Sequence, residues 1–463
     1  MRTESTTRSP KRCAPLAAFF VALALLAMNA RSAETPAVFS PATPEAPAAE
    51  TVSIPTEKQP SVKSSADTNK APVLEAGGET AAIQLPPVKS ESHLYKDLSG
   101  LVDGQFDIAE IILALGEEDD FTLGTPAAET LERLGAMAKR AKEQLPDNPD
   151  VTDYYDALYD IVLGRKPLDS NHEEKAEDFD LSRAVFQHHG NCLAMGIAAL
   201  AVARRMNAPI NGTQVPGHFF LRGTAVLKGK GHEQPVNFDV TRPTPENWGK
   251  LDDDFYRKWR KFDSKAEASG EYLRPMTDRQ VVSAFLSSRA GFLAREKNYD
   301  AALHDAQRAL ALNPRNIYAL INQGYARENL KQLEEAENDY KAALEIDSQC
   351  VRALNNLAFV KIRDRRSSIY DLKRAEKYIE QALKIDPDQA YLFATKGEVC
   401  AARGDYREAT RCLQTALSLS PKNSAYRERF MALREHLKRE SDGDPMDKRS
   451  STVPKRDKLG ENR

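Results

Sequence analysis

The chain has 463 residues, too many for one hydrophobic core, and predicts two or three folded units. Lys and Arg number 65 against 68 Asp and Glu, a near balance that gives nucleic acid or an anionic lipid surface no electrostatic hold. The five cysteines are scattered and include no Cys-x-x-Cys pair, which excludes a disulfide framework and a zinc ribbon; no cofactor and no metal site is expected.

At the N-terminus Arg2, Arg8, Lys11 and Arg12 precede an uncharged run from Cys13 to Met28, followed by small residues at Ala30 and Ala33. This pattern predicts a signal peptide over residues 1–33 and an exported protein of the periplasm or cell envelope. The run is short for a spanning helix, so no membrane span is expected after cleavage; an uncleaved anchor is the alternative. Residues 34–90, rich in Pro, Ala and Thr, cannot bury enough apolar surface to offset the entropy of ordering and predict a disordered linker.

A folded domain is expected over 91–275. Ile108, Ile111, Ile112 and Leu115 form an i, i+3, i+4, i+7 stripe that predicts a helix ending near Gly116. Thr125-Pro126 marks the start of a second helix, carrying Leu131, Leu134, Ala138, Ala141 and Leu145; a third runs from Thr152 to about Leu163. The charged stretch from Arg165 to Asp180 reads as a surface loop.

From Leu193 to Ala203 there is no charged residue, which suits a helix buried on every side. Asn191 is a good N-cap and places Cys192 at the first helical position, where unpaired N–H groups and the positive end of the dipole favour a thiolate. Taken alone, Cys192 reads first as a small buried hydrophobe, and the residues that follow it in the chain reverse that reading. After Arg205 the pattern becomes extended. Gly217 to Leu227 and Gln234 to Val240 flank Lys228-Gly229-Lys230-Gly231, a hairpin whose partners should sum to about 458 to 460 in residue number. His218 and Asp239 then reach one face of the sheet, and the helix starting at Cys192 is expected to pack on that same face.

The last large unit, 276–438, is a repeat array. Ala309-Leu-Ala-Leu-Asn-Pro recurs from Ala343, Ala382 and Ala416 at spacings of 34, 39 and 34 residues, the period of the tetratricopeptide (TPR) repeat. Small residues fall where paired helices approach, at Ala290, Gly324, Ala358 and Gly397 and at Ala302, Ala336, Ala375 and Ala409. Ala425 to Lys438 predicts a capping helix, and residues 439–463 a disordered tail.

A nucleophilic thiol needs a base, and the base needs an acceptor that fixes its tautomer. Cys192, His218 and Asp239 supply that set. Cysteine at a helix start, with histidine and aspartate on adjacent strands, resembles the transglutaminase-like superfamily, which shares its core with papain-type cysteine peptidases. Gly190-Asn191-Cys192, the run from Ala201 to Ile210, and Pro216-Gly-His-Phe-Phe-Leu-Arg222 are similar to the SirB-type branch, in which TPR helices follow that core. The resemblance implies an α+β fold, with a helical N-terminal half and a small antiparallel sheet, followed by an all-α TPR solenoid. It also implies acyl transfer at amide or ester carbonyls through a thioester. Gln187 is the candidate second oxyanion donor beside the Cys192 N–H, by analogy with papain-type enzymes. His188 and His189 read as solvated loop residues, Trp248 as a packing residue with a cleft role as the alternative, and Cys400 and Cys412 as core fillers.

The leading expectation is an exported cysteine enzyme, a peptidase, amidase or transamidase. A protein or peptide substrate occupies the Cys192 cleft, and a protein or peptide ligand the TPR groove. The alternative is a catalytically inactive scaffold that mediates protein–protein interactions in the cell envelope.

Overall fold

The computed structural model describes residues 98–117, 126–164, 175–226, 231–241, 251–262 and 264–441. The expected signal peptide, the linker, Trp248 and all but the first residues of the C-terminal tail lie outside the described residues.

Among the described residues five α-helices build the front: α1 (Ile108–Glu117), α2 (Ala127–Lys142), α3 (Val151–Ile161), α4 (Leu181–Gln187) and α5 (Cys192–Met206). The α1 stripe turns inward as its spacing predicts, with Ile108, Ile111, Ile112 and Leu115 all buried. Asp150 starts α3 through a reciprocal capping box with Asp153, satisfying N–H groups that have no partner inside the helix. The apolar α5 is the hub. Every residue from Cys192 to Ala203 is buried, and the helix touches α1 to α4 on one side and the sheet on the other.

That sheet is antiparallel with order β1 (Asn211–Val215), β2 (His218–Ala225), β3 (Gln234–Phe238). Leu221 pairs with Phe238 and Arg222 with Asn237, so partners sum to 459, inside the expected register. Strand β1 is not anticipated by the sequence; its Asn-Gly-Thr-Gln-Val text lacks an apolar period. It forms because the ring of Phe219 lies across Gly212, where an added Cβ would come within 2.7 Å of the ring.

Side chains of β2 alternate. Phe219 lies against α5, so close that a Cβ on Gly196 would fall 2.5 Å from the ring. His218 and Phe220 point the other way, toward α6 (Asp253–Arg260), where the rings of Phe220 and Tyr256 stack at 4.2 Å. The body of α5 therefore packs on the face opposite His218, not on the shared face expected from the sequence. Odd and even residues of one strand cannot serve the same layer, and Phe219 claims the helix side.

After the short α7 (Ser264–Ala268), helices pair as the repeat period predicts: α8 (Asp278–Arg295) with α9 (Tyr299–Leu312), α10 (Ile317–Asn329) with α11 (Leu333–Ile346), α12 (Val351–Val360) with α13 (Leu372–Ile385), and α14 (Ala390–Arg403) with α15 (Tyr406–Leu419). The final helix α16 (Ser424–Ser441) packs on α15 and extends beyond its expected stop at Lys438. Ala302, Ala336, Ala375 and Ala409 are fully buried at the helix crossings.

Solenoid and core are continuous. One apolar cluster runs from α5 and the sheet into Phe285, Ala302 and Tyr325; a second joins Val215, Phe220 and Tyr256 to Ile317, Leu320 and Tyr340. Glu271 lies in this seam, 5% exposed, with Asn313 and Arg315 each 3.4 Å from its carboxylate oxygens. Burial pushes its carboxyl from 4.5 up to about 7, against the pull of Asn313 and Arg315. A raised carboxyl pKa means the folded chain holds the proton more tightly than the unfolded chain, so stability falls as pH rises from about 4.5 to about 7 and is level above. Glu271→Gln removes that charge and is expected to raise stability at pH 8 by up to about 3 kcal/mol, with little change at pH 4. Urea midpoints at the two pH values check it; a gain of equal size at both would exclude the linkage.

Candidate active site

Asn191 starts α5 with its side-chain oxygen 3.1 Å from the Leu193 N–H and 2.9 Å from that of Ala194. This cap uses the second and third amides of the helix. The Cys192 amide is the one it leaves beside the sulfur.

His218 opens β2, directly after Gly217, which adopts φ 68, a conformation that favours glycine. The imidazole Nε2 lies 2.7 Å from Oδ2 of Asp239, and the ring is also hydrogen bonded to Cys192. With Nε2 held by the carboxylate, Nδ1 is the nitrogen that faces the thiol. The structure thus brings together all three residues expected to meet. Asp239 reaches His218 diagonally. Extending the ladder places Thr241 opposite His218, and Asp239, two residues earlier, shares that face.

Asp239 is 1% exposed yet well satisfied. Its Oδ1 accepts from the Thr241 N–H at 2.9 Å and the Thr241 hydroxyl at 2.7 Å, and its Oδ2 accepts from the Tyr256 hydroxyl at 3.1 Å. Burial alone would raise its pKa, but the facing His218 and the Thr241 donors outweigh it and keep the carboxylate ionised well below the usual range. Burial likewise opposes charge on His218. The Asp239 carboxylate, and then Cys192, overcome it and hold the imidazole proton up to about 9.

Sequence reasoning missed the wall around this set. The α6 text, Asp-Asp-Phe-Tyr-Arg-Lys-Trp-Arg, is dominated by charge and short, so its aromatic stripe gives no clear period. Tyr256 stacks along His218 at 6.3 Å and Trp259 meets the imidazole edge-on at 5.2 Å. Arg222 anchors the wall: its guanidinium bonds Asn237 on β3, Asp253 at the start of α6 and the Leu273 carbonyl.

Gln187 is not among the groups gathered at His218. It is exposed at the end of α4, and its Oε1 accepts from Arg183 Nε at 3.0 Å, an i, i+4 contact along its own helix. His188 is exposed and His189 half-exposed, as expected of solvated residues, but both are also held by the fold. His188 Nδ1 lies 2.5 Å from the Val162 carbonyl and His189 Nε2 lies 3.0 Å from the buried Asp178 carboxylate, which pin the turn before Cys192. Cys400 and Cys412 are buried, and their thiols are hydrogen bonded to each other across α14 and α15. Among the described residues no cluster of three His, Cys, Asp or Glu is placed to hold a metal ion, and no helix is long and apolar enough to cross a membrane.

Residues 128–287 match the family model of the transglutaminase-like superfamily, and residues 317–350 and 370–433 match tetratricopeptide repeat models. The chain carries a transglutaminase-like domain followed by TPR repeats. The match to the transglutaminase-like domain includes all three residues of the Cys192 site and enters α8. A UPF0162 protein of Xylella fastidiosa is 26% identical over 185 residues, 38% of this chain and 62% of that protein. Another, of Buchnera aphidicola, is 25% identical over 146 residues, 31% of this chain and 51% of its own. The chain thus spans between about half and three fifths of these curated relatives. RNA polymerase II-associated protein 3 of Xenopus tropicalis is 31% identical over 123 residues, 27% of this chain and 18% of that protein. Among solved structures, a thermophilic TPR protein of Thermus thermophilus is 24% identical and covers 36% of this chain and 96% of its own, with a TM-score of 0.30.

Proposed function

We propose that this protein is an exported cysteine-dependent acyl-transfer enzyme of the cell envelope, acting on amide bonds of a protein or peptide, with the TPR groove holding a protein partner. The observation that carries the reading is the imidazole of His218, bonded to Asp239 on one nitrogen and to Cys192 on the other side. Export is supported by the charged N-terminus and the uncharged run after it.

In the proposed reaction the proton given up by Cys192 already rests on His218 below about pH 9, and the sulfur forms a bond to the carbonyl carbon as the carbonyl electron pair moves to oxygen. The Cys192 N–H, which the Asn191 cap leaves unused, serves as the donor to that oxygen. Collapse expels the amine, which receives the proton from His218 and leaves a thioester on Cys192. Water or a second amine then attacks the thioester and gives its proton to His218, and expulsion of the sulfur restores the starting pair with the proton on His218. Asp239 stays ionised throughout and keeps Nε2 protonated, so that Nδ1 is the basic nitrogen.

Labelling with a thiol-reactive acyl probe tests this. The probe is expected to modify Cys192, and to leave Cys192→Ala unmodified, as read by peptide mass mapping. Burial pushes the Cys350 thiol up to about 12 and the Cys412 thiol is also raised, by its bond to Cys400 and by burial, so neither should compete. Turnover is expected to hold through neutral pH and to fall above pH about 9, where the proton destined for the leaving amine is lost from His218. Equal labelling of Cys192, Cys350, Cys400 and Cys412 would remove the enzyme reading and leave a scaffold.

A further inference from the structure

Beside the Cys192 site stands a cation that the proposed reaction does not use. Arg260 ends α6, and its guanidinium carbon lies 3.6 Å from the ring centroid of Trp259, the residue whose ring meets His218. Stacking fixes the plane of the fork and leaves its edge for hydrogen bonding. A Cβ built on Gly217, next to His218, would fall 3.9 Å from Arg260 Nη1 and 4.0 Å from the hydroxyl of Tyr318. An arginine of the catalytic domain and a tyrosine of the solenoid therefore converge on one point of the cleft wall.

The surroundings do not account for this cation. No carboxylate of the described residues forms an ion pair with Arg260, whereas Arg257, one turn back, has Asp254 and Glu267. Among the described residues the Nε of Arg260, a buried atom, has no hydrogen-bond partner, which is costly unless something supplies an acceptor. Tyr318 is 6% exposed and burial raises its phenol, so its hydroxyl remains a donor. Behind it the Arg352 guanidinium lies 5.7 Å from the Tyr318 ring, adding a second positive charge. Two donors with a second cation behind them, set in an apolar wall, suit a planar anion.

We propose that Arg260 and Tyr318 form a carboxylate-binding subsite, so that the acyl donor attacked by Cys192 is a peptide or amide with a free carboxylate close to the scissile carbonyl. This rests on Cys192 being the nucleophile. Because the two donors come from different domains, the subsite is complete only when the first repeats are packed on the core.

The test compares alkylation of Cys192 by iodoacetate, which carries a carboxylate, and by neutral iodoacetamide, each normalised to glutathione. The native protein is expected to favour iodoacetate by about tenfold or more. Arg260→Gln should abolish the preference, Tyr318→Phe reduce it several-fold, and Arg260→Lys restore only part; the ratio cancels any general change in thiol reactivity. Two thioester pairs then locate the carboxylate. Succinyl against butyryl places it on the acyl side, as an acidic residue before the cut does. Acetyl thioglycolate against acetyl ethanethiol places it on the leaving side, as a free C-terminus after the cut does. One pair should show a preference that Arg260→Gln removes. An unchanged ratio in Arg260→Gln, a full ratio in Arg260→Lys, or no Arg260-dependent preference in either pair overturns the subsite while the nucleophile stands. Failure of Cys192 to react faster than glutathione with both reagents overturns the nucleophile as well.

Discussion

His218→Ala is expected to slow acylation of Cys192 by about 10⁴-fold or more, the loss seen when the base of a nucleophile–base–acid set is removed. The interaction lost is one made in the transition state, so kcat and kcat/KM should fall together with KM nearly unchanged. The variant should fold, because the buried Asp239 keeps three other donors, the Thr241 amide, the Thr241 hydroxyl and the Tyr256 hydroxyl. His218→Gln, closer in volume, guards against a cavity effect. The measurement is the single-turnover rate of acyl-enzyme formation by intact mass, beside a urea melt of each variant. A loss below about tenfold in a folded variant would mean that the imidazole is not the base.

The second large effect concerns stability. Arg289 on α8 is fully buried; its guanidinium grips Asp305 of α9 through two bonds, Nε to Oδ2 at 2.6 Å and Nη2 to Oδ1 at 2.8 Å, and also donates to the Leu115 carbonyl of α1. Arg289→Met leaves the Asp305 carboxylate buried at 2% exposure, with the Arg308 guanidinium 3.9 Å away as its remaining cation. Breaking one side of such a pair costs about 3–5 kcal/mol, most of it from the stranded charge. Asp305→Leu added to Arg289→Met is expected to recover much of the loss, since both charges then go together. Urea denaturation of the two single variants and the double variant checks this. A single-variant loss under about 1 kcal/mol would show that the pair is not closing the joint.

What the sequence makes legible follows from where the controlling forces act. The TPR helices are fixed by local period and by alanines at their crossings, and the hairpin register by its turn, so both could be read without coordinates. The meeting of Cys192, His218 and Asp239 follows from a cap, a strand start and a register. Strand β1 was not readable, because its pairing depends on Phe219 lying over Gly212, a contact between residues of different strands. The side of the sheet that α5 covers differs from the expected one for a related reason: the alternation of His218 and Phe219 shows that the two face apart, but not which of them the helix takes. The analogy with papain-type enzymes puts Gln187 beside the oxyanion, whereas here it ends a helix and pairs along it. Helix α6 escaped notice because a tertiary contact, Arg222 to Asp253, stabilises a segment too charged to announce itself.

The seam between the two halves has a consequence for how such a protein could have been assembled. Phe220 and Tyr256 of the core share one oily layer with Ile317 and Leu320 of the second repeat, and Phe285 of the first repeat lies among the core's own side chains. A chain cut near residue 275 would present that layer to water and should clump rather than fold. Shuffling of ready-made modules would have had to carry at least two repeats along with the core. The last repeat, from α14 onward, adds no side chain to that layer and is the part free to be lengthened, swapped or lost to suit a new partner.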